Sequence, residues 1–239
     1  MSRQILDFLG RKPFAVVGHR GAAGVKPENT ISSIKYAIEQ GVDIIEVDVR
    51  MTRDGKLILL HDDTFERLAG IPQNVRSLDY DWIREHIKIK GEPVATLEEA
   101  LRIIDGICGL FIEIKEPDTI DKVLDIVKTY GAEKWSAIIS FYEEPLAYVK
   151  NNSPEIVTGI IYFKPPGKIV DARRLGAKIV LPYYRLATEK AVRFAHKLGL
   201  KVVAWTVNNS DDALELVRRG IDGIATDYPE RLVELREKL

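Results

Sequence analysis

The chain has 239 residues, 46% hydrophobic and 30% charged, which is enough apolar content for a full-sized core and too much for a disordered chain. Its 35 Lys and Arg balance 36 Asp and Glu, and this lack of a basic excess excludes nucleic acid and an anionic membrane surface as expected partners. A single cysteine, Cys108, excludes an intrachain disulfide and a cysteine-built zinc site, and it reads as a buried thiol. The opening stretch MSRQILDFLGRK has no leader-like apolar segment, and no apolar run reaches the ~20 residues of a membrane span. A cytoplasmic protein without stable membrane insertion is expected.

Eight short runs rich in Ile and Val follow along the chain: FAVVGH (14–19), VDIIEVDV (42–49), LFIEIK (110–115), AIISFY (137–142), VTGIIYF (157–163), AKIVLPYY (177–184), KVVAWTV (201–207) and DGIATDY (222–228). They are nearly continuous rather than alternating, the pattern of parallel strands covered on both faces. Helical patterns lie between them. Thr30 is the start signal for ISSIKYAIEQ, Thr96 and Glu99 form a capping box for LEEALRII, and Asp118 or Thr119 starts IDKVLDIVKTY. Thr188 and Ser210 start EKAVRFAHKL and DDALELVRR. The phrases EQGVDII, RLGAKIV, KLGLKVV and RRGIDGI repeat one module, in which a helix ends, a glycine follows and a strand begins.

Eight strands alternating mostly with helices over this length predict an α/β fold, a closed (β/α)8 TIM barrel, with an open doubly wound sheet as the alternative. A further run, KLILLHD (56–62), follows Asp54-Gly55, a two-residue hairpin signal. That turn would make partner numbers sum to 109 and set His61 directly opposite Asp48. Residues 64–94 do not read as a βα unit. They predict a small excursion after the second strand, within one domain covering 1–239.

In such a barrel the C-terminal strand ends line the site. They supply His19 and Arg20, Glu46 and Asp48, and Glu113 and Lys115, while the hairpin adds His61. Residues two apart on a strand share a side, so each acid-containing pair points together. Three converging carboxylates suit a hard divalent cation, Mg2+ or Ca2+. Arg20 and Lys115 suit a phosphate, and two histidines suit general acid and base chemistry on either side of phosphorus. There is no GxSxG, no P-loop and no dinucleotide fingerprint.

The motifs HRG (19–21), PENT (27–30), EVDV (46–49), TRDG followed by HD (52–55 and 61–62), EIK (113–115), WTVN (205–208) and TDYP (226–229) span nearly the whole chain. In this order they resemble the glycerophosphodiester phosphodiesterases, within the larger group of phosphatidylinositol-phospholipase-C-like phosphodiesterases. The resemblance implies a (β/α)8 barrel with one divalent cation held by Glu46, Asp48 and Glu113. It implies His19 and His61 as the acid/base pair, Arg20 and Lys115 on the phosphate, and Trp205 as a wall for the glycerol carbons. The implied reaction turns a small glycerophosphodiester into sn-glycerol 3-phosphate and an alcohol. By analogy with the related phospholipases, the glycerol 2-hydroxyl attacks first, with His19 as base and His61 as acid. After the His-Asp pair the family pattern runs on to a Leu-Asp-Arg-like stretch; here DDTFERLAG keeps only Arg67 of it.

On this reading Gly21 and Gly24 let the backbone approach the phosphate, Thr30 or Asn29 caps the helix, and Glu28 joins either the outer shell of the cation or local backbone. His86 and His196 fall outside the site. Two alternatives belong with this reading: a lysophospholipase-D-like or phospholipase-C-like enzyme with a lipid substrate, marked by an exposed apolar ring at the mouth, and a non-catalytic phosphate-binding barrel.

Overall fold

The computed structural model describes residues 4–239; the first three residues of the N-terminal stretch MSRQILDFLGRK lie outside it. After α1 (Ile5–Phe8) come β1 (Ala15–Gly18), α2 (Ile31–Glu39), β2 (Ile44–Met51) and β3 (Leu57–Leu59). An insertion follows, with β4 (Thr64–Phe65), α3 (Glu66–Ala69), β5 (Ile71–Asn74), α4 (Tyr80–His86), β6 (Lys88–Ile89) and β7 (Glu92–Pro93). The regular alternation then resumes with α5 (Leu97–Ile104), β8 (Gly109–Ile114), α6 (Ile120–Thr129), β9 (Ser136–Ser140), α7 (Glu143–Asn152) and β10 (Val157–Tyr162). It ends with α8 (Ile169–Leu175), β11 (Ile179–Pro182), α9 (Glu189–Lys197), β12 (Lys201–Ala204), α10 (Ser210–Arg218), β13 (Gly223–Thr226) and α11 (Pro229–Glu237).

Strands β1, β2 and β8 to β13 are the eight predicted runs, and they close into a parallel barrel. Closure is made where Val17 pairs with Ile44 on one side of β1 and Ala15 pairs with Gly223 on the other. Inward residues repeat with period two, so Val17, Phe111, Ile139, Ile161, Leu181, Val203 and Ala225 fill the interior beneath the C-terminal mouth. The opposite end is plugged by α1. Ile5 and Phe8 are buried there, and a Cβ on Gly109 would lie only 2.5 Å from Ile5 Cδ1.

Local sequence accounts for the helix starts. Thr30 and Thr188 accept the backbone N–H groups of Ser33 and Ala191, and Thr96 with Glu99 forms the full capping box. The cap of α10 is Asn209 rather than Ser210, because Asn209 Oδ1 takes the Asp212 N–H at 2.9 Å and leaves Ser210 inside the first turn. The helices α7, α8 and α11 were not legible at their starts. Their N-cap residues are Tyr142, Lys168 and Tyr228, none of which makes a side-chain cap bond.

The hairpin register differs from the expected one. Val49 pairs with Leu59, Arg50 with Ile58 and Met51 with Leu57, so partner numbers sum to 108. Thr52 N–H donates to Lys56 O at 2.9 Å, which makes Arg53, Asp54 and Gly55 a three-residue turn with Gly55 at φ +82°. Asp48 therefore stands opposite Leu60, whose N–H donates to Asp48 O at 3.1 Å. His61 reaches the barrel mouth one residue later, after the ladder has ended. The excursion has its own small core of Ile58, Leu60, Phe65, Val75, Ile83, Ile87, Ile89 and Val94.

The repeated Gly-x-Asp before a strand has a structural cause. Asp43 Oδ2 accepts the Val16 N–H at 2.9 Å, and Asp222 Oδ2 accepts the Val202 N–H at 2.9 Å, each stitching one strand start to its neighbour. Asp43 is buried against Arg236, and Asp222 against His196 and Lys201. Removing one partner of a buried pair strands the other charge. Arg236→Ala is expected to lower unfolding free energy by about 3–5 kcal/mol, measured by urea denaturation; a loss below about 1 kcal/mol, the range of a surface pair, would contradict this role.

Candidate active site

The carboxyl end of β1 carries His19 and Arg20 to the mouth. His19 N–H continues the ladder to Thr226 O at 2.9 Å, after which Arg20 takes φ +49° and the chain turns away. That inversion aims the Arg20 N–H at Glu46 Oε2, 2.9 Å away. The glycines after it were expected from sequence to let the backbone approach a phosphate, but what lies against them is protein. A Cβ on Gly21 would lie 2.4 Å from Ser33 Oγ, and one on Gly24 would lie 2.5 Å from the Tyr228 ring. They let the loop pack onto α2 and onto the start of α11.

Glu46 and Asp48 come from β2 and Glu113 from β8, where Asp48 and Glu113 are direct partners in the parallel register. One carboxylate oxygen from each lies within 4.8 Å of the others, and all three residues are buried. Lys115 Nζ bonds Glu113 Oε1 at 2.6 Å and lies 3.1 Å from Asp48 Oδ1, while Arg20 Nε lies 3.1 Å from Asp48 Oδ2. Asn29, at φ +57°, brackets Asp48: its Nδ2 donates to Asp48 Oδ2 at 2.8 Å, and its Oδ1 accepts the Asp48 N–H at 3.2 Å. Asn29 therefore orients a carboxylate, and Thr30 alone caps the helix.

Burial and the charge of Asp48 push the Glu46 carboxyl up to about 8. Burial also acts against ionisation of Asp48, but Lys115 and Arg20 overcome it and hold Asp48 well below the usual carboxylate range. Glu46 Oε1 is buried without a hydrogen-bond partner. An orphaned carboxylate oxygen beside two more acids, with only oxygen donors, fits a hard divalent cation.

Both predicted histidines sit at this mouth, each oriented by an aspartate on Nδ1. His19 Nδ1 donates to Asp227 Oδ1 at 2.7 Å, and its Nε2 faces Glu46 Oε2 at 4.0 Å. Asn208 Nδ2 in turn holds Asp227 Oδ2 at 2.7 Å. His61 Nδ1 donates to Asp62 Oδ1 at 2.8 Å. Burial lowers the basicity of both rings, but Asp227 and Glu46 reverse this for His19 and raise it, whereas Lys115 and Arg20 keep His61 lowered. Asn208, Asp227 and Asp62 lie in the WTVN, TDYP and HD motifs, but only the fold shows what they hold. Glu28 has neither of its expected roles; it pairs with Arg20 at 2.8 Å and with Arg67 of the excursion. His86 stacks on Trp82, and His196 pairs with Asp222; both stand apart from these residues.

The mouth has two unlike sides. A cavity of about 310 Å3 runs into the barrel between His19, Glu46, Glu113 and Lys115 on one side and Phe141, Phe163, Leu181 and Trp205 on the other. Trp205 Nε1 donates to Leu181 O at 2.7 Å, and its ring meets Phe141 edge to face at 5.6 Å. Its indole N–H is thus satisfied and its apolar face borders the cavity. A second, more open hollow is walled by Arg50 of β2, by Asp62 and by Glu66 and Arg67 of the excursion, and it shares His61 and Lys115 with the first.

The family pattern described as the glycerophosphoryl diester phosphodiesterase family matches residues 19–231. The chain belongs to that family. It is an enzyme, and the family is one of phosphoric diester hydrolases. A glycerophosphodiester phosphodiesterase of Caldanaerobacter subterraneus subsp. tengcongensis is 33% identical, covering 93% of this chain and 98% of the relative. An Oleispira antarctica phosphodiesterase, solved with the product sn-glycerol-3-phosphate, superposes with TM-score 0.85 at 26% identity, covering 93% of this chain and 96% of that one. The glycerophosphodiester phosphodiesterase of Thermotoga maritima gives TM-score 0.79 at 26% identity, covering 93% and 98%. The (β/α)8 architecture is thus common to family members that share only a quarter of their residues.

Replacing Asp227 by Asn keeps the shape but removes the carboxylate that fixes the His19 tautomer. Asp227→Asn is expected to lower kcat by about 10–10²-fold, a share of what a positioned acid or base supplies, with KM changed less than kcat. Steady-state kinetics check this, and an unchanged kcat would remove Asp227 from the site.

Proposed function

We propose that this enzyme hydrolyses small glycerophosphodiesters to sn-glycerol 3-phosphate and an alcohol, using one divalent cation, Mg2+ or Ca2+. The observation that carries the reading is the convergence of three buried carboxylates and two aspartate-oriented histidines at one barrel mouth. The product bound to the Oleispira antarctica relative supports the choice of substrate. Glu46, Asp48 and Glu113 would hold the cation, which when bound acts as a Lewis acid on the phosphoryl oxygens. Arg20 and Lys115 bind the remaining phosphate charge. The glycerol carbons lie against Trp205 and Phe141 in the cavity.

His19 Nε2 takes the proton of the glycerol 2-hydroxyl, whose oxygen attacks phosphorus. His61 gives a proton to the departing alcohol oxygen. Water then opens the cyclic phosphate with the two proton roles exchanged. The hollow on the excursion side is lined by charged and polar residues, and the exposed Phe163 stands on the opposite wall of the mouth. A one-sided apolar rim favours a small polar alcohol over a lipid leaving group.

The decisive assay is release of glycerol 3-phosphate from glycerophosphoethanolamine and glycerophosphocholine, with and without EDTA. Release that EDTA abolishes and Mg2+ or Ca2+ restores is expected; full activity in chelator would refute the cation. His19→Ala and His61→Ala are each expected to cut kcat by roughly 10²–10⁴-fold on these substrates. In the first-turnover release of p-nitrophenol from the p-nitrophenyl ester of glycerol 3-phosphate, whose leaving group needs no proton, His61→Ala should regain most of its rate and His19→Ala should not. The opposite pattern would exchange their roles.

Glu46 also makes cation binding sensitive to pH. With its carboxyl near 8, it is protonated at pH 7, and the bound cation requires it ionised. Binding at pH 7 should release about one proton, and affinity should fall about tenfold per unit as pH drops below 8. Calorimetry in buffers of different ionisation enthalpy reads this directly; binding without proton release would contradict it.

A further inference from the structure

Arg67 is a residue of the excursion that the proposed chemistry leaves unused. Its side chain is 47% exposed, and a single pair at such a place ordinarily contributes little. Its partners are unusual. Nη1 and Nη2 grip the two oxygens of Glu28, at 2.8 Å each, in the bidentate geometry particular to arginine. Nε donates at 2.6 Å to Asp62 Oδ2, on the carboxylate whose other oxygen holds His61 Nδ1. Glu28 Oε1 is in turn the acceptor for Arg20 Nη1 at 2.8 Å. One guanidinium thus joins Arg20, through Glu28, to His61, through Asp62. These two side chains come from separate parts of the chain, the end of β1 and the segment leaving β3. Glu28 is largely shielded, with its side chain 13% exposed, so the contact is much less screened than the exposure of Arg67 alone suggests.

We infer that Arg67 is a positioning residue that sets the phosphate-binding Arg20 and the proton-donating His61 in register with each other. This rests on the proposed reading of the site. It also gives the excursion a role, since its short helix α3 carries the clamp that completes the mouth. Lysine at this position can reach one carboxylate but cannot hold two oxygens of Glu28 and one of Asp62 at once.

The test compares wild type, Arg67→Ala and Arg67→Lys, each loaded with Mg2+ or Ca2+, on glycerophosphoethanolamine and on the p-nitrophenyl ester. With the ethanolamine ester, Arg67→Ala should lose about 10–10²-fold in kcat, and Arg67→Lys should recover less than a tenth of that loss. In the first-turnover release of p-nitrophenol from the p-nitrophenyl ester the loss should shrink to about a few-fold, because that step needs no proton donor, while a rise in KM from the misplaced Arg20 persists on both. In cation-free protein labelled with 15N-histidine, the His61 Nδ1–H signal should shift towards the free imidazole position in Arg67→Ala, with the His86 and His196 signals unmoved. A first-turnover loss on the p-nitrophenyl ester as large as the kcat loss on the ethanolamine ester, full recovery with lysine, or an unmoved His61 signal would each overturn the clamp. A wild type inactive on both esters would overturn the hydrolase reading as well, whereas an active wild type with indifferent variants would overturn the clamp alone.

Discussion

Three carboxylates inside a barrel mouth cannot all stay charged without partners, and the arrangement of this site follows from that constraint. The parallel register sets Asp48 directly beside Glu113, with Glu46 two residues back on the same side of β2. The low-dielectric interior makes their repulsion severe. The chain answers in three ways. Lys115 and Arg20 neutralise Asp48, Asn29 satisfies both its backbone and its side chain, and Glu46 keeps its proton until something replaces it. The left-handed backbone at Arg20 and Asn29 belongs to the same solution, since each inversion aims a donor at an acid.

The same barrel divides the mouth into unlike sides. Strands β1, β2 and β8 end in charged residues, whereas β9 to β12 end in Phe141, Phe163, Leu181 and Trp205. A glycerophosphodiester has a matching division, an anionic centre with a short carbon arm. The period of two in each strand places alternate residues in the mouth, so chemistry is specified by one or two residues per strand while the layer below remains ordinary core. The excursion is not built on this plan, and it adds Glu66 and Arg67 on the side where the barrel already supplies Arg50 and Lys115.

Much of this was legible in the sequence because it depends on local pattern. The eight Ile- and Val-rich runs became the eight barrel strands, and the acids and cations two apart did point together. The hairpin register was not legible, since Asp54-Gly55 serves a two-residue turn and a three-residue turn equally well. Only Thr52 pairing with Lys56 decides between them, and it shifts every partner by one. The starts of α7, α8 and α11 lacked the Ser, Thr, Asp or Asn signal that marked α2, α5, α9 and α10. Asn29, Asp227 and Arg67 were visible as residues but not as partners. Asn29 is 19 residues from the carboxylate it holds, and Asp227 is 208 from its histidine. Contacts at that separation belong to barrel closure, and no periodicity records them.

The two histidines show why the acids and the proton chemistry have to be considered together. Burial works against the charge on His19, yet Asp227 and Glu46 raise it; burial with Lys115 and Arg20 lowers His61. That order is the reverse of the proposed roles, in which His19 accepts the first proton and His61 donates one. In the proposed mechanism a divalent cation taking the place of the Glu46 proton would add positive charge beside His19 and move it towards the neutral base the first step needs. A phosphodiester held by Lys115 and Arg20, as proposed, would offset their positive field on His61 and let it hold a proton. The proposed order of proton transfers therefore depends on the charges that a cation and a phosphodiester would bring to this mouth, and not on the two rings alone.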